Sequence, residues 1–104
     1  MARYDLYRNP DPTETEAVPF LLDVQNEHID GLATRVVIPL RPTRHFGPRA
    51  DRLHPLLEVE GESLVLDTAA LAAVPQGWLR ERVGSLRAQR EPIQTALDTL
   101  FGAY

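Results

Sequence analysis

Five arginines fall from Arg35 to Arg52, with His45 inside that stretch and His54 just beyond it, and these side chains are the ones able to bind anions or move protons. Guanidinium forks at Arg41, Arg44, Arg49 and Arg52 suit carboxylate or phosphate oxygens, and an imidazole such as His45 could act as a proton acid or base. All eleven basic residues are arginine and none is lysine. That bias fits bidentate anion pairing, and it fits equally the codon usage of a GC-rich genome.

Charge is unevenly spread. Residues 1 to 34 carry two arginines against seven acids, whereas 35 to 55 carry five arginines against one acid, within a chain of net charge -4. Affinity for nucleic acid comes largely from neutralising phosphates, so this balance argues against a dedicated DNA or RNA binder, and no direct, specific nucleic-acid partner is expected. His28, His45 and His54 lack the close paired spacing of metal ligands, and no metal or other cofactor is expected. Ser63 and Ser85 lack the setting of a nucleophile elbow, no glycine-rich phosphate loop is present, and the absence of cysteine removes thiol chemistry and disulfides.

The elements that would carry these residues are mostly short strands. At 104 residues and 43% hydrophobic content, one domain over 1–104 with a modest core is expected, for which an apolar homodimer interface would be a natural supplement. Tyr4 to Arg8 alternates as a first strand, and the doubly proline-punctuated stretch Asn9 to Glu16 is a polar loop. Phe20 to Gln25 and Thr34 to Leu40 read as a strand pair, the second central and buried on both faces, with Pro39 at a strand end or bulge. Arg41 to Leu53 reads as a long loop. Leu56 to Val59 and Ser63 to Leu66 flank Glu60-Gly61-Glu62 as a tight hairpin. A short segment through Leu71 to Val74 follows, and Trp78 to Leu86 shows poor periodicity.

The tail is a helix. Ile93, Ala96, Leu97, Leu100 and Phe101 fall at i, i+3, i+4, i+7 and i+8, a stripe expected to face a core while Gln94, Thr95 and Asp98 face water. Pro92 and Glu91 suit the first turn. A helix running on to the carboxylate of Tyr104 would set a negative charge beside unpaired carbonyls, an arrangement that an arginine or lysine of a partner would relieve. No apolar run approaches the roughly 20 residues of a membrane span, and Met1 to Asp5 lacks the apolar stretch of a signal peptide, so a cytoplasmic protein without membrane contact is expected.

One phrase is more specific than its composition. LLDVQNEHID, from Leu21 to Asp30, followed by Val36-Val37-Ile38-Pro39-Leu40, closely resembles the CcdB family of plasmid and chromosomal toxins that poison DNA gyrase. The resemblance continues in order along the chain through His54-Pro55-Leu56-Leu57, Val59 to Ser63, Asp67-Thr68, Leu71 to Pro75, Ile93 to Leu97 and Phe101. It implies an SH3-like small barrel of the CcdB/MazF kind, an antiparallel sheet with a C-terminal helix. It further implies a homodimer with its helix ends near the two-fold axis, binding to the gyrase A subunit that traps the cleaved DNA complex without catalysis, and neutralisation by an antitoxin with an acidic, flexible segment. Carried over by position, the gyrase-binding residues are His28, Ile29, Asp98, Phe101, Gly102, Ala103 and Tyr104. The basic loop with Arg41, Arg44, Arg49 and Arg52 becomes the expected antitoxin surface.

The chain departs from that pattern at its end. Gyrase-poisoning members finish Phe-Trp-Gly-Ile, whereas here Phe101 is followed by Gly102, Ala103 and Tyr104, so the principal stacking ring is missing. Two other readings accompany the poison: a MazF-like endoribonuclease using Arg41, Arg44, His45, Arg49 and Arg52, and an inactive homologue acting as an antitoxin decoy.

Overall fold

The computed structural model describes residues 1–29 and 31–102. Seven strands follow in chain order: β1 (Asp5–Arg8), β2 (Phe20–Asp23), β3 (Thr34–Pro42), β4 (Leu56–Val59), β5 (Glu62–Leu66), β6 (Ala72–Pro75) and β7 (Arg82–Ser85), before the helix α1 (Arg90–Phe101). They form one antiparallel sheet in the order β4-β5-β3-β2-β1-β7, with β6 added on β3. With the C-terminal helix this is the architecture of a half-barrel of the SH3-like kind.

Two-residue alternation sorts the strand side chains onto two faces. Leu6, Phe20, Leu22, Ile38 and Leu40 join Leu57, Leu64, Leu66 and the helix residues Ile93, Ala96 and Leu97 in one core. Their strand neighbours Tyr7, Leu21 and Val37 point the other way, into a smaller core with Val18, Val74 and Leu79. The run Val36 to Leu40 is apolar at consecutive positions because both faces of β3 are covered.

β3 is the organising strand. Along one edge Phe20 to Asp23 pair with it from Leu40 back to Val37. Along the other, Thr34 to Val37 pair with β6 and Leu40 to Pro42 pair with β5. Pro39 sits in the gap between those two pairings and accepts from the Asp67 amide at 3.0 Å, so its missing N–H falls where β3 changes partners. Pro39 is therefore interior to the strand and not at its end. Similarly, β3 runs on to Pro42, which makes Arg41 a strand residue opposite Val65 and shortens the expected loop.

The hairpin expected at Glu60-Gly61 forms. Both turn residues have positive φ, 52° and 80°, the conformation of a type I′ turn, whose twist matches the flanking strands. β7 is hidden in the sequence because only three of its residues, Arg82, Gly84 and Ser85, pair with β1, across an irregularity between Leu6 and Tyr7. The Gln89 side chain fastens the start of the helix to the sheet edge, donating to the Glu58 carbonyl at 2.8 Å and accepting from its amide at 2.9 Å.

Candidate functional site

The bend after β2 is built around a buried ion pair. Asp23 and Arg35 meet in a two-pronged contact, Nε to Oδ2 at 2.8 Å and Nη2 to Oδ1 at 2.9 Å, with both side chains out of solvent. The Gln25 amide donates to Asp23 Oδ1 at 3.0 Å, and its side chain accepts from the Val36 amide at 3.1 Å while donating to the Ile29 carbonyl at 3.2 Å. Arg35 Nη1 reaches that same carbonyl at 3.4 Å. A buried pair contributes little net stability but fixes geometry, since either charge alone would be stranded. The sequence gives one local sign of this network, the carboxylate of Asp23 two residues before the amide it accepts from, as in an Asx turn.

That network presents the expected site residues of the bend. His28 is exposed, and its amide donates to the Asn26 side chain at 2.9 Å. Ile29 is a large apolar side chain left half in water.

At the other end of the chain, the apolar stripe of the helix stops early. Ile93, Ala96 and Leu97 are buried and Leu100 is half-buried, but Phe101 is 68% exposed. The stripe therefore turns toward solvent over the last turn. The polar positions are also less free than periodicity implied. Gln94 and Asp98 are half-buried, Gln94 donates to Asp98 at 2.9 Å, and Gln94 accepts from Arg3 at 3.0 Å.

The helix ends at Phe101. Gly102 adopts φ 73° and donates to the Asp98 carbonyl, a left-handed cap that satisfies one helix-end acceptor without a partner's cation. Ala103 and Tyr104, the remaining expected contacts, lie outside the described residues.

Bend and helix end come together. An open groove of about 440 Å³ has an apolar floor of Val24, Val36, Leu71 and Leu97, with Asp98 and Phe101 on its helix side. His28 lies just beyond, in a neighbouring hollow that shares Arg3 and Asn26 with the groove. Residues more than 70 positions apart in sequence thus line one surface.

The basic stretch is less of a patch than its sequence implies. Arg35 is consumed by Asp23, and Arg41 pairs with Asp67 at 2.8 Å in a half-buried contact. Arg49 donates to the His54 carbonyl at 2.9 Å and lies 3.5 Å from Asp51. Arg44, Arg49 and Arg52 are exposed, as is His45. His54 is turned inward against the edge of Phe46, and its Nδ1 accepts from the Ala50 amide at 3.2 Å. Of the set that a ribonuclease would use, Arg41 is tied to Asp67, whereas Arg44, His45, Arg49 and Arg52 lie on the surface. No group of three or more His, Asp or Glu among the described residues could hold a metal ion.

Two ionisations depart from their ordinary values, both away from the groove. Burial first, then the carboxylates of Asp5 and Asp23, push the Tyr7 hydroxyl up. Hydrogen bonds from the hydroxyl and amide of Thr13 hold the exposed Asp11 carboxyl down. No helix among the described residues is long and apolar enough to cross a membrane.

A family model described as "CcdB protein" matches residues 3–102 of the 104.

Proposed function

The chain belongs to the CcdB family, toxins whose established action is against DNA gyrase, and from that premise we propose which surface acts and on what. Proteins of this family generally work as homodimers with an antitoxin and the gyrase A subunit as partners. In this chain, one toxin domain over residues 1–104 binds gyrase A through the end of α1 and the adjoining bend. Asp98, Phe101 and Gly102 form the helix side of that surface and His28 and Ile29 the loop side, with Ala103 and Tyr104 assigned to the same binding by their family positions.

The observation that carries this reading is Phe101. A large aromatic ring left 68% exposed at the end of a helix that otherwise packs on the core adds little to the packing of its own chain. It lines an apolar groove, and it offers a face to a guanidinium, a contact of about 0.5 to 2 kcal/mol. This ring stands one position before the tryptophan that other members use, so the arginine-stacking function passes from that position to Phe101 and Tyr104. The antitoxin's acidic segment docks on the exposed arginines Arg44, Arg49 and Arg52, while Arg41, half-buried against Asp67, contributes little.

Supercoiling by purified gyrase in the presence of the full chain tests the reading. Inhibition is expected, with accumulation of cleaved DNA, and Phe101→Ala should weaken it at least several-fold while leaving the fold intact. Full inhibition by the variant would move the active surface elsewhere. No inhibition by the unaltered chain, together with capture of a related antitoxin, would favour the decoy.

A further inference from the structure

Beside the groove, Arg3, Arg87 and Arg90 surround a polar hollow of about 320 Å³ that also includes Tyr4, Asn26 and His28. The guanidinium carbons of Arg3 and Arg87 lie 5.2 and 5.3 Å from the centre of the same Tyr4 ring. Three cations share this space, and the one carboxylate lining it, Glu27, is bonded to Arg87. Arg90 donates to the Arg87 carbonyl at 3.1 Å, a contact that leaves its charge uncompensated. Arg3 donates through Nη2 to Gln94, but its Nε is buried without a hydrogen-bond partner, a state that costs free energy in an isolated chain.

The backbone here is strained as well. Tyr4 has φ 74°, a left-handed conformation that a buried aromatic residue rarely adopts, and it is pinned there by its amide on the Asp23 carbonyl at 2.7 Å and by the Leu86 amide on its own carbonyl at 2.8 Å. Strain, an unsatisfied donor and like charges gathered in one hollow are what a binding site carries before its ligand arrives.

We propose that this hollow is a carboxylate-binding site, which takes an acidic side chain of a partner's extended segment while an apolar neighbour on that segment lies in the adjoining groove. Arg3 and Asn26 form the wall common to both, so the two contacts would come from residues close together in the partner. The proposal deepens the antitoxin reading, on which it rests for the source of the segment, and it adds a second anchor to the arginine loop. A nucleic-acid ligand fits less well. Its repeated phosphates would meet Glu27 in the lining and the exposed Glu91 of the helix's first turn, on a chain whose net charge is -4. A single carboxylate escapes that repulsion and matches the planar guanidinium fork.

Nitrogen-15 NMR of the full-length protein, observing arginine Nε–H and backbone amide signals, tests the site with the acetylated, amidated peptide Leu-Glu-Asp-Leu. The peptide is expected to shift the Arg3 Nε–H signal together with the Leu97 and Phe101 amides. Arg90→Gln, an exposed change that leaves the core untouched, should weaken binding about threefold, and Arg3→Gln about tenfold. Equal binding by Arg90→Gln, or shifts confined to Arg44 and Arg49, would overturn the proposal. So would inorganic phosphate reproducing the Arg3 shift as strongly as the peptide, or a short single-stranded oligonucleotide binding more tightly than it. Co-expression with the antitoxin separates the two readings. Peptide binding without neutralisation would sink the antitoxin reading alone, and neutralisation without an Arg3 shift would sink this site alone.

Discussion

The bend after β2 and the last turn of α1 form two sides of one groove, yet they are held by opposite means. The bend has few apolar anchors and hangs on Asp23, Arg35 and Gln25, a buried polar network whose every bond fixes an angle. The helix is held by apolar contacts at Ile93, Ala96 and Leu97, and its last turn stands free of them. One side is fixed by charges paired out of solvent; the other presents a ring that stays mostly in solvent. A surface built this way can keep a fixed template while varying the residues at its tip, which is where this chain differs from the gyrase-poisoning pattern.

The sharpest way to break the contrast is to strand a charge in the bend. Arg35→Ala leaves Asp23 buried and unpaired, and it should destabilise the fold by about 3 to 5 kcal/mol, read as a shift in urea midpoint. Replacing both partners with apolar residues of similar size should recover most of that loss. If the single change costs under about 1 kcal/mol, the network does not govern the bend. At the helix end the largest comparable effect is smaller: Gly102→Ala should cost about 1 kcal/mol. Open space surrounds a Cβ there, so the loss comes from the backbone at φ 73° and not from a clash.

High pH should touch the bend's side of the molecule and spare the helix. The folded state holds the Tyr7 proton more tightly than the unfolded chain, whose value is near 10.0. Its contribution is therefore intact below about pH 10 and is lost as pH rises through the raised folded value. The urea midpoint should fall above pH 10, and Tyr7→Phe should flatten that fall; an unchanged slope would remove Tyr7 from the account. The smallest stability effect is expected at Phe101→Ala, within about 0.5 kcal/mol by thermal denaturation. A larger loss would mean that the ring packs where it is read as presented.

Local patterns made much of the fold legible. Alternation in Tyr4 to Arg8, the apolar run of β3 and the hairpin at Glu60-Gly61 each follow from interactions within a few residues. The helix followed from the spacing of Ile93, Ala96 and Leu97, but spacing could not say that the same stripe would leave its support before Phe101. β7 has no such signature, because four residues with glycine among them carry no periodic signal.

Most of the strands, the helix, the family to which the ordered phrases belong and the absence of cysteine chemistry can be read from the sequence. What the charges do depends on contacts made in the folded chain. Arg35 and Arg41 look like their neighbours in a basic stretch, yet their partners Asp23 and Asp67 lie 12 and 26 residues away. Arg3 reaches Gln94 across 91 residues to build a wall that no local window contains. Periodicity is set by the chain's own geometry over a few residues, whereas burial and pairing of a charge depend on whatever the fold brings beside it.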